Sequence, residues 1–220
     1  MKTPALILSL GLLLSSFADS PAATEKPWTE LKLADFHSLG KADLNPDSWT
    51  ETDGVITRVK NGASDLISTK SFGDFELELE WNIAEGGNSG IFFRGDAKSN
   101  PYYKTALEMQ VLDNAKAHDN KTPTHIAGSL YDMIAADPKI AKPAGEWNQA
   151  RILCKGQHIE TWLNGVKTSD IDIGSPAWTE ALNKSKFKTW KGFAAAAAGP
   201  IGLQDHGDKV SYRKIRVREL

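Results

Sequence analysis

Cysteine is almost missing from this chain: Cys154 is the only one in 220 residues, so no internal disulfide can staple the fold. It alternates with Ile152 in an apolar pattern, which makes it a buried thiol, with a catalytic cysteine as the lesser alternative. Long apolar runs are missing after the N-terminal stretch, so nothing later can form a transmembrane helix. A surplus of one charge is missing too. Lys and Arg total 26 against 28 Asp and Glu, a formal net charge of −2, and the two signs are mixed along the chain. No basic patch is present to attract nucleic acid or anionic lipid. Lys214, Arg216 and Arg218 alternate with Ile215 and Val217, the pattern of a solvated strand face. No Gly-rich dinucleotide fingerprint occurs, so the chain brings no redox cofactor of its own. No segment carries a long helical period, and the five alanines from Ala194 to Ala198 are too few to nucleate a helix alone.

What is present begins with a leader. Lys2 and the apolar run from Ala5 to Leu14 read as a secretory signal peptide over residues 1–23, with cleavage between 18 and 23. Both Ser16-Phe17-Ala18 and Ser20-Pro21-Ala22 suit cleavage. The expected location is exported, periplasmic or extracellular, and no cysteine near the leader offers a lipoprotein anchor. Residues 24–220 are then expected to form one all-β domain large enough to be stable without staples.

Period-two segments dominate that domain. In Phe75-Glu76-Leu77-Glu78-Leu79-Glu80-Trp81 the apolar residues share one face and the three carboxylates the other. Those carboxylates suit either a metal site or a charged outer face, and the outer face is the stronger reading. Residues 54–59, 90–94, 151–155 and 158–163 also read as strands. Lys155-Gly156-Gln157 and Asn164-Gly165 supply hairpin turns. Many short strands separated by turns indicate an antiparallel sandwich. Two long irregular stretches, residues 113–143 and 173–199, would border any cleft.

Near the C-terminus, residues 199–208 read Gly-Pro-Ile-Gly-Leu-Gln-Asp-His-Gly-Asp. Ile201 and Leu203 alternate with Gly202 and Gln204, and residues 199–220 read as two short strands joined by a tight polar turn that crowds Asp205 and His206 at a strand end. In Glu108-Met109-Gln110-Val111-Leu112-Asp113, Glu108 and Gln110 face away from Leu107, Met109 and Val111. Asp113 has the wrong parity, and a β-bulge near Val111-Leu112 would restore it. Trp178 and Trp190 suit either stacking on sugar rings or anchoring their loops. Arg94, at a strand end, suits either ligand binding or a surface charge. Glu108, Asp113, His206, His118 and His125 are suitable metal-ligand types, but their spacing matches no standard zinc pattern. A structural calcium or other divalent cation is compatible with such a fold, and no cofactor is required.

These stretches, together with residues 88–94 (Asn-Ser-Gly-Ile-Phe-Phe-Arg), 128–132 (Gly-Ser-Leu-Tyr-Asp), 142–148 (Lys-Pro-Ala-Gly-Glu-Trp-Asn) and 163–165 (Leu-Asn-Gly), resemble the 3-keto-disaccharide hydrolase-like domain family in order along the chain. The resemblance runs from about Trp28 to Leu220. It implies a two-sheet jelly roll of the concanavalin A-like lectin/glucanase type. It also implies cleavage of 3-keto-glycosides by proton abstraction at sugar carbon 2, elimination and hydration, after a separate sugar 3-dehydrogenase has made the ketone. His206, Glu108 and Asp113 become candidates for the acid–base work. Gln110, Arg94, Gln204, Asn88, Tyr131, Trp178 and Trp190 become candidates for holding sugar. The strand 108–113 is similar to the Glu-x-Asp-x-x-Glu motif of laminarinase-type glycosidases. Here Gln110 and Asp113 depart from it, which argues against ordinary retaining hydrolysis. Two departures from the family pattern, Ala194 to Ala198 and Lys214, leave the candidate acid–base groups in place. A non-catalytic carbohydrate-binding module is the rival reading.

Overall fold

The computed structural model describes residues 26–41, 43–44, 48–59 and 64–220. The expected leader, residues 1–23, lies outside them. The strands run in chain order as β1 (Thr29–Glu30), β2 (Phe36–Ser38), β3 (Trp49–Thr52), β4 (Val55–Arg58), β5 (Leu66–Phe72), β6 (Phe75–Ile83) and β7 (Asn88–Phe93). They continue as β8 (Leu107–Leu112), β9 (Asn148–Lys155), β10 (His158–Leu163), β11 (Val166–Asp172), β12 (Gly199–Leu203) and β13 (Val210–Glu219). They form two antiparallel sheets. The larger is ordered β11-β10-β9-β6-β13-β4-β3, with β1 also paired to β13; the smaller is ordered β2-β5-β12-β7-β8. This is the expected jelly-roll sandwich.

The core lies between the sheets and follows from the period of two. Phe75, Leu77, Leu79, Trp81 and Ile83 of β6 point into it, as do Ile91 and Phe93 of β7 and Leu107, Met109 and Val111 of β8. Ala150, Ile152 and Cys154 of β9 join them, so the lone thiol is packed in apolar surroundings that hold it protonated. Fully burying one such large side chain contributes roughly 1.5–3 kcal/mol. Two-residue turns close the β9–β10 and β10–β11 hairpins. Asn164 and Gly165 both adopt positive φ, 50° and 82°, the backbone of a type I′ turn.

Three expectations needed correction. β12 and β13 are not a hairpin: β12 pairs with β5 and β7, whereas β13 pairs with β6, β4 and β1 in the other sheet. Residues 204–209 therefore cross from one sheet to the other. The stretch 173–199 is not irregular throughout. It holds α1 (Pro176–Lys184), capped by Ser175 Oγ, which accepts from Trp178 N at 3.1 Å, and a 3-10 turn at Lys186–Thr189. Finally, β7 and β8 pair in unbroken register through Leu112, with no bulge. No helix among the described residues is long and apolar enough to cross a membrane.

Candidate active site

The same alternation that fills the core gives the smaller sheet a polar outer face. On β7, Asn88, Gly90 and Phe92 point outward; on β8, Glu108 and Gln110 do. Gly90 lies opposite Gln110, and Phe92 opposite Glu108. A cavity of about 390 Å³ opens over this face. Asn88, Glu108, Gln110 and Gln204 form its floor, and His206 stands at its mouth. Its walls are Tyr103 and Lys104 on one side, and Tyr131, Lys186, Phe187 and Trp190 from the two long stretches.

Gly90 makes room for the carboxyl. A Cβ there would overlap Glu108 Oε1 and stand only 2.8 Å from its Cδ. Glu108 is 9% exposed, and its carboxyl has no hydrogen-bond partner among the described residues. Burial pushes its pKa up to about 8; the Lys186 ammonium works against this, and Asp65 and Asp119 reinforce it. The group is therefore largely protonated at neutral pH. Beside it, Gln110 Nε2 donates to Asn88 Oδ1 at 3.3 Å. The side-chain oxygens of Gln110 and Gln204 are buried and accept from nothing, which leaves two acceptors for the hydroxyls of a ligand.

The loop carrying His206 is fixed from below. Gln204 N donates to Gly90 O at 3.0 Å, and Asn88 N donates to Asp208 Oδ2 at 3.0 Å. The buried Arg58 guanidinium ion-pairs with Asp205. Asp205 N donates to Asp65 Oδ1 at 2.9 Å, and Gly207 N to Asp205 Oδ1 at 3.1 Å. Asp65 is itself pushed up to about 6: burial raises it, the amide of Asp205 lowers it, and the Asp205 charge raises it. The His206 side chain remains exposed above this cluster. On the opposite wall, Lys104 Nζ sits 3.9 Å from the Trp190 ring centre and Lys186 Nζ 4.2 Å from that of Tyr131.

Of the residues singled out from sequence, Glu108, Gln110, Asn88, Gln204, His206, Tyr131 and Trp190 line this one cavity. Three others lie elsewhere. Asp113 follows the last residue of β8 and caps the turn beyond it, accepting from Gly86 N at 2.7 Å and Ala115 N at 3.0 Å. Arg94 adopts a left-handed φ of 54°, which turns it inward; its guanidinium donates to the carbonyls of Ala196 and Gly156. Trp178 is buried in α1 and stacks on Phe193, so it anchors its segment. Sequence reasoning missed Lys104, Lys186 and Asp65. Lys104 follows Tyr103 and Lys186 precedes Phe187 in the chain, but only the folded loops bring them together.

The suggested metal ligands do not converge. His118 is exposed, Asp113 is engaged in its turn, and His125 lies between two carboxylates outside the cavity. A different cluster, His158, Glu160 and Asp170, has ligand spacing on the outer face of the larger sheet. Lys167 Nζ already fills it, 2.6 Å from Glu160 Oε1 and 2.7 Å from Asp170 Oδ2.

Comparison with known proteins matches the chain to a family. Residues 28–218 match the family described as the 3-keto-α-glucoside-1,2-lyase-like domain. The chain belongs to that family. A 3-keto-disaccharide hydrolase of Bacteroides thetaiotaomicron is 37% identical over 209 residues, covering 81% of this chain and 72% of the relative. Among solved structures, a candidate glycosyl hydrolase of Parabacteroides distasonis superposes with a TM-score of 0.78 at 25% identity, over 86% of this chain and 90% of that one. A second from the same organism gives 0.71 at 30% identity, over 88% and 100%. A Bacillus subtilis protein with a galectin-like fold, 14% identical with a TM-score of 0.54 over 88% and 98%, supports the sandwich alone.

Proposed function

We propose that this protein is an exported enzyme that cleaves 3-keto-glycosides, 3-keto-disaccharides among them, by elimination and hydration. The observation that carries the reading is the buried carboxyl of Glu108, held protonated near neutral pH in the same cavity as the exposed imidazole of His206. A ketone at carbon 3 acidifies the proton on carbon 2. The imidazole of His206 takes that proton. The electron pair moves to the carbon 3 oxygen as an enolate and returns to form the carbon 1–carbon 2 double bond as the aglycone oxygen leaves carbon 1. Glu108 gives its proton to that oxygen. Water then adds, hydroxyl to carbon 1 and proton to carbon 2, so the net change is hydrolysis.

The other groups take supporting parts. Lys186, in place of Arg94, is the cation for the enolate oxygen. Gln110 and Gln204 accept from sugar hydroxyls, and Trp190 and Tyr103 flank the ring. The sequence contains no dinucleotide fingerprint, so the ketone is supplied by a separate sugar 3-dehydrogenase. The protein acts in the periplasm or outside the cell, as its leader suggests. The family membership and the name of the Bacteroides relative support a carbohydrate substrate.

Leaving-group dependence tests the assignment. The Glu108→Gln variant should lose most of its rate on a 3-keto disaccharide, whose alkoxide needs a proton, and little on a 4-nitrophenyl 3-keto-glucoside, whose phenolate does not. Equal losses on both substrates would take the acid role from Glu108. Tight binding without turnover by the unaltered protein would favour a sugar-binding module.

A further inference from the structure

We infer that His125, which does not line the cavity, is a positioning residue that sets both Tyr131 and Lys186 for the sugar; the inference rests on the function proposed above. Four links carry it. Tyr131 Oη donates to Asp119 Oδ2 at 2.9 Å. Asp119 Oδ1 lies 2.8 Å from His125 Nδ1. His125 Nε2 lies 2.9 Å from Asp132 Oδ1. Asp132 Oδ2 accepts from the backbone N–H of Lys186 at 2.7 Å. Each ring nitrogen of His125 thus faces one carboxylate oxygen. The imidazole also lies against Tyr131, ring centres 4.5 Å apart at 31°, and Lys186 Nζ covers the Tyr131 ring.

The chain of contacts begins and ends at cavity residues, and its middle is sheltered: the side chains of His125 and Asp132 are 15% and 16% exposed, that of Asp119 32%. Asp132 adopts φ 57°, an uncommon value for a residue with a side chain, and its amide is held by Thr124 O at 3.0 Å. The backbone is thus turned so that one carboxylate can reach both the imidazole and the segment carrying Lys186. The chemical consequence falls on Tyr131. With its O–H committed to Asp119, the phenol oxygen offers the cavity an acceptor, so it favours a sugar hydroxyl that donates. Without His125, Asp119 is free to turn away, the phenol O–H can rotate into the cavity, and Lys186 loses the tie that places its ammonium near Glu108.

A simple loop staple would also use these contacts, so the test must separate the two. Four proteins are compared: unaltered, His125→Ala, Tyr131→Phe and the double variant, with Asp119→Asn as a volume-preserving control. Affinity for a 3-keto disaccharide and for its unoxidised parent is read by calorimetry, kcat and KM by product formation, and folding by thermal melting. Each single variant should raise Kd and KM about tenfold, and the double variant no more than either, because coupled residues are not additive. Asp119→Asn should reproduce the His125→Ala effect. Multiplying losses, or a lowered Tm with unchanged constants, would overturn the inference. Non-additive binding losses in a protein that turns nothing over would sink the elimination reading and leave the positioning role standing. An unaltered protein that neither binds nor cleaves these sugars removes both.

Discussion

The two outer faces of the sandwich present carboxylates in the same alternating pattern and treat them in opposite ways. On the larger sheet, Glu76, Glu78 and Glu80 project from β6, and every one has an arginine: Arg218 and Arg151 for Glu76, Arg216 for Glu78, Arg213 for Glu80. Partial burial alone would raise Glu80, but hydrogen bonds from Lys214 and Arg213 outweigh it and draw its pKa below the ordinary value. On the smaller sheet Glu108 projects from β8 toward a glycine, with no arginine beside it, and its pKa rises to about 8. A carboxylate compensated by its neighbours holds a sheet face together and repels other sheets. A carboxyl left uncompensated in a cavity carries a proton it can lose and regain near neutral pH.

Glu108→Gln should break this contrast most sharply, lowering kcat/KM on a 3-keto disaccharide by roughly 10²–10⁴, the usual worth of an acid–base group. The same change should stabilise the fold at alkaline pH. Because the folded pKa of Glu108 lies above its ordinary value of 4.5, the native state holds the proton over the window from about 4.5 to about 8 in which the unfolded chain loses it. Stability from this group is complete below that window and lost as pH rises through it. Melting curves at pH 5 and pH 8.5 check this: the variant should gain on the parent only at the higher pH.

Gly90→Ala tests the room made for the carboxyl. The added methyl must push Glu108 aside, and a displacement of about 1 Å should lower kcat on the order of 10²-fold. On the other face, Glu76→Gln should leave kcat unchanged and lower stability by about 2 kcal/mol in chemical denaturation, because two arginines lose a charged acceptor in a mostly buried site. Glu78→Gln, in a half-exposed pair with Arg216, should cost about 0.5 kcal/mol.

Much of this was legible in the sequence because a period of two is a strong local signal. It put Phe75, Leu77 and Leu79 inside, Glu76, Glu78 and Glu80 outside, and Glu108 and Gln110 on one face. Asp113 misled because its parity invited a bulge, whereas the strand simply stops at Leu112 and the carboxylate caps the next turn. Arg94 misled because a left-handed residue reverses the direction that strand parity assigns. The helix Pro176–Lys184 was signalled by Ser175 followed by Pro176, a capping pattern, but two turns are too short to show a period. Lys104 and Lys186 could not be found from spacing. They are brought to the cavity by loops whose paths depend on contacts such as those of Asp132.

The most direct test is a titration of the Glu108 carboxyl itself, by the infrared difference between the protein and its Glu108→Gln variant across pH 4–10. A protonated carboxyl band that disappears near pH 8 is the predicted result. A carboxylate already formed by pH 5.5 would contradict the account.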